Sequence, residues 1–227
     1  MKKITAVIVA RGGSKRLLRK NVLVIAGKTL VGHKICQLQQ SSLIDNIIVG
    51  SEDDEILAEA KRYGAEPVRR PEFFCDEQRA TANDMIRNMC ELIHTDIVVW
   101  AHCTNPLVSG KTYDAAIKAL SAKASGEYDS LVSVAELKEH LWDSTLKPFN
   151  YNPYDTRHVL ASDLKPLYKQ DGAIFIQDYE NMVRNHYFFG KKPLLYIMPE
   201  EEILDINTLH DFQLAKAFIE SQATANS

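Results

Sequence analysis

At 227 residues the chain fits one α/β domain and is long enough to bury a core without a disulfide or metal staple. Its 45% hydrophobic and 25% charged residues sit at the globular average, which excludes a disordered or fibrous chain. A net charge of −3 argues against a general nucleic-acid binder, so a local concentration of positive charge becomes informative.

Met1-Lys2-Lys3 leads into a short apolar run that Arg11 interrupts, without the length or cleavage pattern of a secretory leader, and no later stretch could span a bilayer. A cytoplasmic protein without a membrane partner is expected. The four cysteines, Cys36, Cys75, Cys90 and Cys103, show neither a CxxC pair nor zinc-finger spacing, and read as small buried hydrophobes in a reducing compartment.

The first apolar run, Ile4 to Ala10, reads as a central strand. Arg11-Gly12-Gly13-Ser14-Lys15-Arg16-Leu17-Leu18-Arg19-Lys20-Asn21 follows, with five cations and no acid. Open α/β sheets bind ligands beyond the carboxyl ends of their strands, and a glycine pair lets backbone N–H groups approach phosphate oxygens that arginine and lysine then neutralise. A solvated charged face is the bland reading, and it explains the cations poorly in a chain that is acidic elsewhere. The segment is neither a GxxxxGK[ST] phosphate loop nor a GxGxxG dinucleotide fingerprint, which disfavours ATPase and dehydrogenase readings.

Further along, Ile44 to Gly50, Ile97 to Ala101 and Ser130 to Val134 read as strands covered on both faces. Leu30 to Gln40, Glu52 to Tyr63, Asn83 to His94 and Thr112 to Lys123 carry helical periodicity and read as crossovers. The second is expected to start after a Ser51 cap, with Asp53, Asp54 and Glu55 in its first turn, and to end at Gly64. The alternation fails between Glu136 and Gln170, where Pro148, Asn150, Tyr151, Asn152, Pro153 and Tyr154 predict an irregular inserted lobe. Ala173 to Gln177 and Leu194 to Met198 read as further strands, and Leu209 to Ile219 as a closing helix. The fold class is therefore α/β with a mainly parallel sheet, in a single domain.

The strand-end ARGGSK stretch with its Lys20-Asn21 pair resembles the acylneuraminate cytidylyltransferases, also called CMP-sialic acid synthetases. The likeness continues through Ala26-Gly27-Lys28, Gly50-Ser51-Glu52-Asp53-Asp54, Arg69-Arg70-Pro71, Thr104-Asn105-Pro106-Leu107, Asp171-Gly172-Ala173-Ile174-Phe175-Ile176 and Leu204-Asp205-Ile206-Asn207-Thr208. It covers nearly the whole chain, in order. The resemblance implies a Rossmann-like nucleotidyltransferase fold whose lobe, around residues 136–170, is a dimerisation element. It implies a homodimer that joins CTP to an acidic nine-carbon 2-keto sugar. Arg11, Gly12, Gly13, Ser14, Lys15, Lys20, Asn21 and Arg70 would then bind nucleotide, and His102, Thr104, Asn105, Lys169, Asp171, Phe188 and Phe189 the sugar. Arg11, Lys15, Lys20 and Asp205 would carry catalysis, with Mg²⁺, or Mn²⁺ in its place, on Asp205 and Asn207.

The sequence also departs from that family. Where it usually has two metal-binding aspartates in an Asp-x-Asp pattern, this chain has Asp205 and Asn207, so one ligand brings no charge. Lys169 and Asp171 stand where an arginine and an asparagine are frequent, and His102 stands where the family has glutamine. On residues alone Asp205 reads as a helix-capping or surface carboxylate, Arg70 equally as a surface arginine, and Phe188 and Phe189 equally as core aromatics. His102 is balanced between a satisfied core histidine and a sugar contact, bonding a hydroxyl if neutral or a carboxylate if charged. Two rival functions remain: CMP transfer to an eight-carbon keto-deoxy sugar, and a sugar-nucleotide-binding protein without catalysis.

Overall fold

The β-branched run at the start of the chain becomes the middle of the sheet, where both faces must be apolar. The computed structural model describes residues 2–123 and 126–225. Its elements are β1 (Ile4–Val9), β2 (Val24–Ile25), β3 (Lys28–Thr29), α1 (Leu30–Gln39), β4 (Asn46–Ser51), α2 (Asp54–Arg62), β5 (Glu66–Arg69), α3 (Ala82–Leu92), β6 (Ile97–Ala101), α4 (Gly110–Ala122), β7 (Ser130–Leu137), β8 (Leu167–Asp178), α5 (Tyr179–Asn185), β9 (Pro193–Ile197) and α6 (Leu209–Ala225). A seven-stranded sheet runs β5-β4-β1-β6-β8-β7-β9, with β8 antiparallel to both neighbours and the other pairings parallel. The mainly parallel α/β class follows as the sequence predicts.

Successive residues of β1 serve opposite faces. Ala6 and Ile8 join Ile35, Leu38, Ala116 and Ala215 on one side, while Val7 joins Ile86, Met89 and Met182 on the other. The crossover helices start at side-chain caps that satisfy otherwise orphaned N–H groups. Thr29 Oγ1 accepts from Gly32 N, and Thr81 and Asp84 form a reciprocal capping box at α3. The cap of α2 differs from expectation. Ser51 remains in β4, where its Oγ accepts from Asp53 N, and Asp53 is the cap, accepting from Ile56 N at 3.1 Å. Arg19 also binds Asp53, and its guanidinium holds the Asp53 carboxyl below the usual carboxylate range.

β5 and α5 lie where no regular element was expected, since Glu66-Pro67-Val68-Arg69 is too short and polar for the apolar-run criterion. β7 and β8 are longer than predicted, pairing out to Leu137 and Leu167, and the register shifts between Val132 and Val134. There Gly172 adopts φ +76°, a left-handed conformation that a glycine takes without strain. Asp171 Oδ1 accepts from Ser133 Oγ and from Ala173 N, locking the irregularity. Residues 138–166 between the strands are largely irregular, with a bridge between Trp142 and Pro148.

The core also holds a lysine. Lys34 in α1 is fully buried, and burial lowers its pKa to about 7. Because the folded value lies below the unfolded 10.5, the native state loses this proton first, so stability should rise with pH above about 7. The slope is at most about 1.4 kcal/mol per pH unit. The Cys103 thiol, raised from 9.0 to about 12 by burial, opposes the trend above pH 9. Urea titrations between those pH values should show the rise in the wild type and a flatter profile in Lys34→Met; identical slopes would remove Lys34 as the cause.

Candidate nucleotide and sugar site

A cavity of about 640 Å³ opens beyond the carboxyl ends of β1, β5 and β6. β1 lies between β4 and β6, so crossovers depart to either side of it, and such a switch point leaves a crevice for ligands. The loop after β1 supplies Arg11, Ser14, Lys15, Arg16, Lys20 and Asn21 to the lining, and the loop after β6 supplies His102, Cys103 and Thr104. Arg70 follows β5, and Phe74, Cys75, Glu77, Thr81 and Met85 form a wall from the segment before and into α3.

The cationic loop is tied down locally. Asn21, buried, donates through Nδ2 to Arg11 O at 2.9 Å. Gly12 N donates to Glu52 Oε1 at 2.8 Å, and a Cβ on Gly12 would lie 2.3 Å from Asp53 Oδ2, so a side chain here would displace the Asp53 carboxylate. Gly13 has open space around its Cα. Arg11 and Lys15 both reach Glu77, at 2.6 and 3.7 Å, and the Arg11 guanidinium holds the Glu77 carboxyl below its ordinary value. Arg19 is diverted from the cavity to Asp53 and Glu55 on α2. Lys20 Nζ donates to Ile206 O at 2.8 Å; burial lowers its pKa, and the Asp205 charge works in the opposite sense.

Arg70 is a buried framework group. Its Nε donates to Asn88 Oδ1 at 3.1 Å, and Nη2 to Phe74 O and Met85 O, each at 3.3 Å. The surface-arginine reading of Arg70 therefore fails, because the side chain is 1% exposed. A Cβ on Gly50 would meet Arg70 Cδ at 2.7 Å, so the glycine of β4 makes the room.

The expected sugar contacts separate into groups. His102 Nδ1 lies 2.6 Å from Gly172 O, and since a carbonyl only accepts, Nδ1 carries the proton. Its ring meets Phe175 and Phe188 edge-on at 5.9 and 6.0 Å, and burial lowers its pKa, favouring the neutral imidazole. Thr104 lines the cavity beside it. Asn105 is buried away from the cavity lining, donating through Nδ2 to Asp171 O and Leu204 O. Asp171 is buried between β7 and β8, Lys169 is exposed on the outer part of β8, and Phe188 and Phe189 stack against Phe175 in the second core cluster. None of Asn105, Asp171, Lys169, Phe188 and Phe189 lines the cavity.

Asp205 and Asn207 lie beside the cavity rather than in its lining, close enough for the Asp205 charge to act on Lys20 and His102. Asn207 Nδ2 donates to Asp205 Oδ2 at 2.6 Å, so the asparagine serves here as a donor to the carboxylate. Among the described residues no group of three or more His, Cys, Asp and Glu side chains could hold a metal ion. The donor set fits magnesium bound through one carboxylate and substrate phosphates, as is usual for nucleotide enzymes.

Helix α3 lies where Asn83 to His94 predicts it, but the cavity wall from Phe74 to Met85, including Glu77, escaped the sequence reading. Its one legible signal is Thr81-x-x-Asp84, which fixes a helix start and hence the position of the preceding turn.

The fold and the cavity define an α/β protein with a cation-lined site at its switch point. The chain belongs to the cytidylyltransferase family, whose model, described as "Cytidylyltransferase", matches residues 5–223. It is 32% identical over 224 residues to an N-acylneuraminate cytidylyltransferase of Escherichia coli O18:K1:H7, with 94% of this chain and 51% of the relative aligned. The chain thus spans about half the length of that relative. It is 30% identical to a CMP-N,N'-diacetyllegionaminic acid synthase of Legionella pneumophila (96% of this chain, 97% of the relative). To a pseudaminic acid cytidylyltransferase of Campylobacter jejuni it is 27% identical (92% and 93%). Among solved structures, a CMP:2-keto-3-deoxy-manno-octonic acid synthetase complexed with CTP superposes with a TM-score of 0.69 at 12% identity, covering 97% of this chain and 99% of the other, a likeness of fold. No helix among the described residues is long and apolar enough to cross a membrane.

Proposed function

We propose that the protein transfers CMP from CTP to an acidic nine-carbon 2-keto sugar of the sialic acid type and releases pyrophosphate. The cavity rimmed by Arg11, Lys15, Arg16 and Lys20 beyond β1 carries this reading, because a triphosphate is the ligand that such a concentration of cations would neutralise. Relatives named for N-acylneuraminate, legionaminic and pseudaminic acid support the substrate class.

Arg11, Lys15 and Lys20 would orient the triphosphate for in-line attack by the anomeric hydroxyl and stabilise charge as pyrophosphate leaves. Gly12 and Gly13 admit the phosphates close to the backbone. Asp205, with Asn207 beside it, would hold Mg²⁺ or Mn²⁺, which supplies Lewis-acid stabilisation to phosphate oxygens. The neutral His102 leaves Nε2 as an acceptor for a sugar hydroxyl rather than a partner for its carboxylate. The exposed Trp142, Phe149 and Tyr154 of the lobe suit an aromatic dimer interface, and sedimentation at micromolar concentration should find a dimer. A cytoplasmic location agrees with the free cysteines Cys36, Cys75, Cys90 and Cys103.

A second reading, binding without catalysis, is favoured by Asn207, whose amide occupies the Asp205 carboxylate. Mg²⁺-dependent pyrophosphate release decides between them when screened with CTP against sialic, legionaminic, pseudaminic and deaminated nine-carbon acids and the eight-carbon keto acid. Release with a nine-carbon acid is expected. Release with the eight-carbon acid alone would move the substrate class, and CTP binding with no release from any sugar would establish the binding protein.

A further inference from the structure

A fully buried lysine amine needs a reason, because desolvating its charged form costs several kcal/mol unless partners compensate. Among the described residues Lys34 has no carboxylate within ion-pair distance. Its Nζ donates to Asn105 O at 2.8 Å and to Tyr113 Oη at 3.0 Å, and lies 5.3 Å from the centre of the Tyr113 ring. One helical turn along α1, Gln37 Nε2 donates to Pro106 O. Two consecutive carbonyls of the loop after β6 are therefore pinned by two side chains of one helix.

The pinned loop holds a second segment in turn. Asn105 Nδ2 donates to Leu204 O at 3.3 Å, and Ile206 N donates to Thr104 O at 2.8 Å, so the residues on either side of Asp205 are both tied to 104–105. Lys20 Nζ closes the set on Ile206 O. Asn105 Nδ2 also reaches Asp171 O at 3.2 Å, joining β8 to the same group.

We infer that Lys34 is a positioning residue of this site: from within the core it fixes the 102–106 loop, and through Asn105 and Thr104 it sets where the Asp205 carboxylate stands at the cavity rim. The inference rests on the reading of Asp205 as the metal ligand. Lys34 does not line the cavity and acts through Asn105. A lysine with a purely structural role would change stability alone, or would weaken every ligand together.

Lys34→Met keeps the length and removes the donor, and Lys34→Gln restores shorter N–H donors. Three quantities separate the cases: CTP affinity by calorimetry without metal, Mn²⁺ affinity of the CTP-bound protein by water-proton relaxation, and the urea midpoint. Losing a partner that orients a metal ligand typically weakens metal about 10- to 100-fold, so Lys34→Met should raise the Mn²⁺ dissociation constant by about tenfold. CTP affinity should change less than Mn²⁺ affinity, by about twofold or less, because of the cations after β1 only Lys20 reaches this set. Lys34→Gln should fall between, and it carries the comparison if Lys34→Met fails to fold. An unmoved Mn²⁺ constant, or CTP and Mn²⁺ affinity declining together with stability, would overturn the inference. Wild-type protein that binds CTP but no Mn²⁺ would instead overturn the reading of Asp205 itself.

Discussion

Asp205→Ala is expected to lower pyrophosphate release by about a thousandfold, since under the proposed function Asp205 would supply the anionic oxygen for the metal, and its loss would forfeit several kcal/mol of transition-state stabilisation. The fold should survive. Asp205 is only partly buried, its one side-chain hydrogen bond among the described residues is from Asn207 Nδ2, and the backbone on either side is held by Thr104 and Asn105. A stability loss below about 1 kcal/mol is expected from urea unfolding. Asn207→Asp is the complementary test. It replaces an amide that now donates to the carboxylate with a second charged oxygen, so the Mg²⁺ concentration for half-maximal activity should fall. Normal turnover by Asp205→Ala would eliminate the metal assignment, and an unchanged Mg²⁺ requirement in Asn207→Asp would place residue 207 outside the metal's reach.

Which features were legible from the chain follows from how each is encoded. The central strands were readable because doubly covered strands must be continuously apolar, and Ile97–Ala101 has the expected bounds. β5 was not, because an edge strand needs only one paired side and tolerates Pro67 and two charged residues. The cations after β1 marked the cavity, since their clustering is local in sequence. Its opposite wall, Phe74 to Met85, carries no composition signal, as its place depends on how α3 packs on the sheet. For the same reason the loop sequence could not show that Arg19 turns to Asp53 and Glu55 while Arg11 and Lys15 meet Glu77. The role of Lys34 was the least accessible, because a lysine inside an amphipathic helix ordinarily lies on the solvent face, and only tertiary packing turns this one inward.

The adjacent arginines 69 and 70 make that dependence on packing measurable, since residues next to each other at a strand end take opposite directions. Arg69 is exposed and pairs with Asp54, so Arg69→Met should cost less than about 1 kcal/mol, as surface ion pairs do. Arg70 is enclosed, and its guanidinium satisfies Asn88 Oδ1, Phe74 O and Met85 O, with Cys75 Sγ at 3.5 Å. Arg70→Met would fill much of the space but leave Asn88 Oδ1 and Phe74 O without this donor, while Met85 O stays within the ladder of α3, and unsatisfied buried groups cost about 1–3 kcal/mol each. Relaxation and water entry offset part of that, so a net loss of roughly 3–5 kcal/mol is expected. The two carbonyls that Arg70 ties together lie at either end of the wall that faces Arg11 and Lys15. CTP affinity should therefore fall as well, mainly through that wall, since four of the five guanidinium N–H groups already meet protein acceptors. Urea midpoints and calorimetric CTP titrations of the two variants give the comparison directly. Equal, small losses would mean that the guanidinium is not the strut of that wall, whereas a large loss at Arg70 alone would trace the shape of the nucleotide cavity to one buried arginine.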